Sequence, residues 1–377
     1  MKIERAIYSN FGKNLKPNKV LILLGARRVG KTELINKYLK TLNEKDYLKL
    51  HGEDINDVKL LAERSIANYK RLLKNIKLLV IDEAQAIPEI GLILKLMVDN
   101  IPEIKVLVTG SSMFDLSNKL GEPLVGRKNT IHLFPFAQME FSKIEKYATT
   151  ISKLEERLIF GSYPELEQYE DWSEKEKYLK EIVNSYLLKD ILAFDGIRNA
   201  DKILDLLRLI AFQIGKEVSV QELGQQLSMS KNTVESYLDL LSKVFIIFKV
   251  RGYSRNLRKE VTKMNRWYFT DVGIRNAIIG NFNRINNRMD IGDLWENYFI
   301  SERIKFQNYK GLNTRNYFWR TYDQQEIDWI EEDANSLNAF EIKWNAKRKT
   351  KIPKAWQNAY PESKFNVVNN QNYIDWL

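Results

Sequence analysis

Gly25-Ala-Arg-Arg-Val-Gly-Lys-Thr32 spaces two glycines, a lysine and a hydroxyl as a phosphate-wrapping loop requires. The glycines let backbone amides turn inward onto an anion, and a helix starting behind them adds partial positive charge. In that pattern Gly25, Ala26, Arg27, Arg28, Val29, Gly30, Lys31, Thr32 and Glu33 surround a nucleoside triphosphate. Lys31 neutralises the β and γ oxygens and Thr32 ligates Mg2+. Downstream, Leu78-Leu-Val-Ile-Asp-Glu83 delivers two carboxylates at the end of an apolar run. Asp82 is expected to hold Mg2+, directly or through water, and Glu83 to orient and deprotonate the attacking water. ATP and Mg2+ are therefore the expected cofactors. Val106-Leu-Val-Thr-Gly-Ser-Ser112 brings Thr109 and Ser111 to another strand end, where their hydroxyls either sense a γ-phosphate or cap the turn. Arg127 is a candidate arginine finger or phosphate sensor, acting within one chain or between subunits of a homo-oligomer.

Such side chains need a scaffold, and the pattern supplies one. Val20–Leu24, Tyr47–Leu50, Leu78–Ile81 and Val106–Val108 are short apolar runs separated by helix-length segments, the signature of buried parallel strands. They predict an α/β multidomain chain with a P-loop parallel-sheet core over about residues 1–145. Residues 146–215 are helical by pattern, a lid or connector. Residues 216–280 suggest a winged helix-turn-helix. There Ser219-Val-Gln-Glu222 is a capping box, and Val220, Leu223 and Leu227, then Val234, Leu238 and Leu241, form apolar faces of two helices. Phe245–Phe248 and Trp267–Phe269 read as the strands of a wing. Residues 281–377 mix a helix near Trp295 with strands near Ile327 and Phe340, a small α/β domain.

With these motifs joined, essentially the whole chain resembles a family of bacterial and archaeal AAA-like ATPases that carry a carboxyl-terminal domain similar to PD-(D/E)xK nucleases. The matching stretches are Leu23–Thr32, Ile81-Asp-Glu-Ala-Gln85, Thr109-Gly-Ser-Ser112, Gly161-Ser-Tyr-Pro164, Tyr268-Phe-Thr-Asp-Val-Gly273 and Leu294-Trp-Glu-Asn297. The resemblance implies an ATPase core, a winged-helix module and a restriction-endonuclease-like end. In the strand Ala339-Phe-Glu-Ile-Lys-Trp344, residues two apart share a face, so Glu341 and Lys343 point together while Phe340 and Ile342 point to the core. Asp328 lies similarly between Ile327 and Trp329. Asp328 and Glu341 can hold a metal near a scissile phosphate, with Lys343 stabilising the attacking water. Glu296 completes the pattern such nucleases often show. The same Glu341 and Lys343 also suit a plain surface ion pair, and no proline-aspartate precedes the strand, so the domain also fits a fold that has lost catalysis.

Composition bounds the partners. The 377 residues are 44% hydrophobic and 29% charged, an ordinary folded balance in a chain too long for one core. No cysteine is present, which excludes disulfides and thiolate metal sites, and the two histidines, His51 and His132, argue against a histidine-rich one. The chain has no apolar run near the roughly 18 residues of a membrane span and no signal-like start, giving a cytoplasmic expectation. The net charge of +10 favours an anionic partner, DNA ahead of RNA. Arg251–Arg266, with Tyr253 and Trp267 beside it, suits a wing laid on a phosphate backbone, and Lys231, Asn232 and Thr233 open the second helix where bases are read. A winged helix can instead pack as a lid. Two activities remain open: an ATP-gated nucleic-acid enzyme with a metal-dependent nuclease, and an ATP-switched signalling or scaffold protein whose last domains bind proteins.

Overall fold

The computed structural model describes residues 3–111, 124–187, 200–254, 265–348 and 350–377. The chain forms two compact units, residues 1–134 with 243–245, and residues 135–242 with 246–377. In the first unit β1 (Lys19–Leu24), β2 (Tyr47–His51), β3 (Leu78–Asp82), β4 (Lys105–Gly110) and β5 (Lys128–His132) make one sheet in the order β2-β3-β4-β1-β5. All pairings are parallel. The four apolar runs become β1 to β4. Leu21, Leu23, Leu79, Val80, Val106 and Leu107 are essentially inaccessible, as strands covered on both faces must be. The fifth strand, Lys128-Asn-Thr-Ile-His132, is too polar to read as buried, and it sits at the sheet edge where polar residues are tolerated. Parallel pairing returns every strand in the same direction, so the loops after β1, β3 and β4 share one end of the sheet.

The second unit holds a seven-stranded mixed sheet, adding β6 (Glu217–Val218), β7 (Ile247–Gly252), β8 (Asn265–Phe269), β9 (Arg315–Arg320), β10 (Glu326–Glu332), β11 (Leu337–Ile342) and β12 (Lys364–Val368). The order is β12-β11-β10-β9-β7-β8-β6. The hairpin β7–β8 is joined to the carboxyl-terminal strands by the parallel pairing of Arg251 with Tyr317. The expected wing and the expected carboxyl-terminal domain thus share one sheet. The 20-residue helix Ile291–Lys310 covers it, burying Leu294, Trp295, Tyr298 and Phe299 against Phe318, Trp329 and Phe340. The expected helix pair is Val220–Leu227 and Lys231–Lys243, with the Ser219 hydroxyl accepting from Glu222 N and Val234, Leu238 and Leu241 buried.

Three of the motif stretches prove to be one interlock. Asp271 caps the helix Val272–Ile279, its Oδ1 accepting from Gly273 N at 2.9 Å, while its Oδ2 accepts from Ser162 N at 2.8 Å. Gly161 has φ of +70°, and a Cβ there would lie 1.9 Å from Asp271 Oδ1. Asn297 clamps β8 by accepting from Phe269 N at 2.7 Å and donating to Phe269 O at 2.8 Å. These residue types therefore have architectural reasons to be where they are.

The basic stretch is corrected in part. Tyr253, Arg266 and Trp267 are buried in the second unit, because they belong to strand ends that pack into its core; they are not available to a phosphate backbone. Arg251, at the other end of the run, is exposed, and residues 255–264, which hold four of its six cations, lie outside the described residues. Lys231 and Asn232 are exposed and Thr233 is half-buried at the start of their helix.

Candidate functional site: a phosphate loop and a carboxylate–lysine cluster

The loop after β1 carries the backbone such a loop requires. Gly30 sits at φ +90° as the cap of the helix Lys31–Leu39, with open space where a Cβ would be. Gly25 is demanded by crowding, since a Cβ there would come within 2.2 Å of Leu133 O at the end of β5. Arg5, which the sequence does not single out, braces the loop: its guanidinium donates to Val29 O at 3.0 Å and to Phe134 O. Lys31 is buried and its ammonium bonds Gly25 O at 2.9 Å and Ala26 O at 3.0 Å. Arg28 also adopts a positive φ, 64°, and stands exposed beside the half-buried Arg27, while Ala26 and Val29 are buried. Glu33 follows Thr32 on the exposed face of the first helical turn.

The acidic pair converges on this loop across an intervening strand, because β4 lies between β1 and β3. Thr32 Oγ1 donates to Asp82 Oδ2 at 2.8 Å. Thr109, at the end of that intervening strand, is completely buried and donates to Asp82 Oδ1, while accepting from Glu83 N at 2.9 Å. Its hydroxyl therefore positions both acidic residues. Glu83 leaves the strand at φ +51°, which turns its side chain away from that of Asp82, and its Oε2 accepts from Gln85 at 2.5 Å. Ser111, buried beside them, receives a longer contact from Gln85 at 3.4 Å. Gln85, absent from the expected site, is thus the side chain that links Glu83 to Ser111.

Arg127 is a correction. It precedes β5 at the sheet's opposite end, where its carbonyl accepts from Val20 N, and its guanidinium is paired with Asp99 at 2.5 Å. Five residues of strand, about 3.3 Å each, separate Val20 from Gly25. Arg127 cannot serve the phosphates of its own chain.

The second cluster lies in the second unit, where Glu296, Asp328, Glu341 and Lys343 meet. The pairing of β10 with β9 slips between Ile327 and Ile330, a bulge that re-aims Asp328. Its Oδ2 then accepts from Ile342 N at 2.8 Å, standing in for a ladder carbonyl of β10. Lys343 Nζ lies between the two strands' carboxylates, 3.2 Å from Asp328 Oδ2 and 2.7 Å from Glu341 Oε1. Burial, reinforced by Asp328, pushes Glu341 up to about 7 against the opposing pull of Lys343. The same two causes push Glu296 up to about 8, with Arg266 opposing. For Lys343 itself burial disfavours the charge, but Asp328 and Glu341 outweigh it and raise the ammonium. Tyr268 donates to Glu296 at 2.7 Å, and buried Arg266 reaches Glu326 at 2.9 Å and Glu296 at 3.8 Å while stacking on Phe318. Arg266 and Tyr268 are the residues missed here: they alternate with Trp267 on β8, a period-two signal the sequence did carry.

The Gly25–Thr32 loop fits a triphosphate, since Gly30 leaves the cradle open and the Lys31 ammonium is drawn to the loop by hydrogen bonds to Gly25 O and Ala26 O. In the second cluster Glu341 Oε2 is buried without a hydrogen-bond partner, and the donors are all oxygen, which suits a hard divalent cation. Among the described residues, however, no three acidic or imidazole groups form a ready cage. The Lys343 ammonium stands between the two carboxylates instead.

Three family models match successive parts of the chain. A model of an AAA domain matches residues 17–142, one of a domain of unknown function (DUF8612) matches residues 151–284, and another (DUF4143) matches residues 291–376. An uncharacterized protein of Methanocaldococcus jannaschii is 24% identical over 376 residues, covering 94% of this chain and 82% of its own. Uncharacterized proteins of Mycobacterium tuberculosis and Haemophilus influenzae are 25% and 22% identical, covering 86% and 95% of this chain and 70% and 94% of theirs. A Pif1 helicase from Candida albicans aligns over 48% of each chain at 11% identity, with a TM-score of 0.28, too low to establish a common fold. Residues 17–142 are an AAA domain of the P-loop ATPase-like kind, and residues 291–376 are a carboxyl-terminal domain shared with uncharacterized relatives.

Proposed function

We propose that the chain is a Mg2+-dependent ATPase whose nucleotide state gates a DNA-binding winged helix, over about residues 216–280, and a metal-dependent nuclease site in its last domain. The observation that carries this reading is the hydrogen-bonded line Thr32–Asp82–Thr109–Glu83 at the mouth of the phosphate loop. Lys31 binds the β and γ oxygens, Thr32 and Asp82 hold the ion, and Glu83 takes the proton of the attacking water. Mg2+, when bound, supplies positive charge against the phosphates. Gln85 orients Glu83, and Thr109 fixes the spacing between ion ligand and base. Gating has a covalent route. Phe245 packs with the first unit's core, its ring centroid 5.7 Å from that of His132, and its sequence neighbours are the helix Lys231–Lys243 and β7.

For the second site, Asp328 and Glu341 are the metal ligands, Lys343 steadies the attacking water, and Glu296 is a buried acid beside them. Burial and Asp328 raise both Glu296 and Glu341, so a cation bound there would compete with their protons. A second reading, an ATP-switched scaffold with an inert nuclease-like end, draws support from the ammonium of Lys343 between the two carboxylates. ATP hydrolysis with and without single- and double-stranded DNA, with Lys31→Ala as the blank, tests the first half. Stimulation by DNA is expected, and no hydrolysis above the blank would overturn the ATPase. Plasmid cutting in Mg2+ tests the second half: Asp328→Ala is expected to abolish it, and equal cutting by the variant would overturn the site.

A further inference from the structure

Between Lys343 and Lys354 the chain carries Lys343, Lys347, Arg348, Lys349, Lys351 and Lys354 and no acidic residue. Lys349 lies outside the described residues. This segment leaves β11 directly from the carboxylate–lysine cluster and runs to the helix Lys354–Ala359. Lys347, Arg348, Lys351 and Lys354 are exposed, and among the described residues none of them takes part in an ion pair. Its far end is tied to the turn between β9 and β10, where Gln325 Oε1 accepts from Ala355 N at 3.1 Å. That turn presents Tyr322 with its ring fully exposed, at 104% of the reference area. Asp323, the next residue, is exposed too and subtracts one charge. One residue beyond Gln325, Glu326 holds Arg266 beside Glu296. Basic segment and aromatic turn therefore both begin or end at the cluster.

Like charges unpaired at the lip of an acidic site repel one another unless an anion shares them, and a phosphodiester strand is an anion that the site itself would recognise. The geometry points to Lys347, Arg348, Lys351, Lys354 and Tyr322 as a single-stranded DNA track that feeds the carboxylate–lysine site. The basic side chains contact successive phosphates, and the Tyr322 ring stacks on a base, which a strand offers and a duplex does not. This inference rests on the nuclease reading of the cluster for the strand's destination, and on the segment alone for binding.

Fluorescence anisotropy of the full chain with a labelled dT oligonucleotide and a duplex of equal length, in EDTA, separates the two. Metal-dependent cutting is silent there, so binding is read whether or not the site cuts. Neutralising Lys347, Arg348 and Lys351 together to glutamine is expected to lower single-strand affinity at least about ten-fold at low salt. The slope of log affinity against log salt should fall by about 2, at roughly 0.7 per phosphate contact. Tyr322→Ala is expected to weaken the single strand about five-fold or more and leave the duplex unchanged, while Tyr322→Phe behaves as the parent. Unchanged affinity and slope in the triple variant would overturn the track, as would equal loss of both DNA forms on Tyr322→Ala. Loss of binding to phosphatidylserine vesicles with oligonucleotide binding intact would assign the segment to a lipid surface and overturn it as well. Oligonucleotide binding that follows these expectations in a protein that never cuts would retain the track and remove the nuclease reading.

Discussion

At the scale of single residues, the two clusters use carboxylates in opposite ways. Asp82 is satisfied on both oxygens by hydroxyls, from Thr32 and Thr109, whereas Glu341 keeps an oxygen with no partner. Glu296 and Glu341 titrate at about 8 and about 7, above the ordinary 4.5, so between about 4.5 and 8 the folded chain binds more protons than the unfolded one. Stability contributed by these protons is complete below about 4.5 and is lost as pH rises through 7 and 8. Urea midpoints should therefore fall from pH 5.5 to pH 8.5, and Glu296→Gln, which cannot ionise, should flatten the fall. On the proposed reading a cation held by Asp328 and Glu341 would compete with those protons, so added Mg2+ should raise the midpoint more at pH 8.5 than at 5.5. An identical pH profile for parent and variant would rule out Glu296 as the titrating group. Thr109→Val removes a hydroxyl that serves both Asp82 and Glu83 while keeping the volume. It should cost about 1–3 kcal/mol of stability and depress kcat with nucleotide affinity little changed, measured by equilibrium binding beside steady-state hydrolysis.

Among elements, strand order decides what can touch. Placing β4 between β1 and β3 puts Thr109 between the phosphate loop and the acidic pair, and the parallel pairing of β5 with β1 leaves Arg127, which precedes β5, at the far end of the sheet. In the second unit, the bulge in β10 turns Asp328 into the acceptor for Ile342 N and so into the partner of Lys343. The interlock of Gly161, Asp271 and Gly273 fixes the short helix Val272–Ile279 against the Leu154–Phe160 helix. Gly161→Ala adds a Cβ 1.9 Å from a carboxylate oxygen at a φ that only glycine adopts readily. The strained backbone alone costs about 1–3 kcal/mol, so a thermal shift of several degrees downward is expected by calorimetry. A Tm equal to the parent's would mean the segment relaxes without penalty.

For the molecule as a whole, ligand linkage gives the clearest readout. ATP with Mg2+ at a hundred times its Kd should stabilise the nucleotide unit by about 2.7 kcal/mol. In hydrogen exchange that protection should appear at residues 25–33, 82–85 and 109–111 and vanish in Lys31→Ala. Gating predicts a further change in the helix Lys231–Lys243, which runs into Phe245. Protection confined to the first unit would leave ATP binding standing and remove gating.

What local pattern encodes, the sequence determined: the Gly25–Thr32 loop, four of the five strands beside it, the helix pair, and Glu296, Asp328, Glu341 and Lys343 as one set. Each follows from spacing along one element or from a family resemblance tied to short motifs, and short-range geometry is written in period and composition. Only tertiary structure decided the order of strands, the edge role of the polar β5, the removal of Arg127 from the phosphates, and the conversion of Arg266 from an expected DNA contact to a buried partner of Glu326. Those outcomes depend on which strand lies beside which, and on charges brought together from distant residues, and neither quantity has a period along the chain.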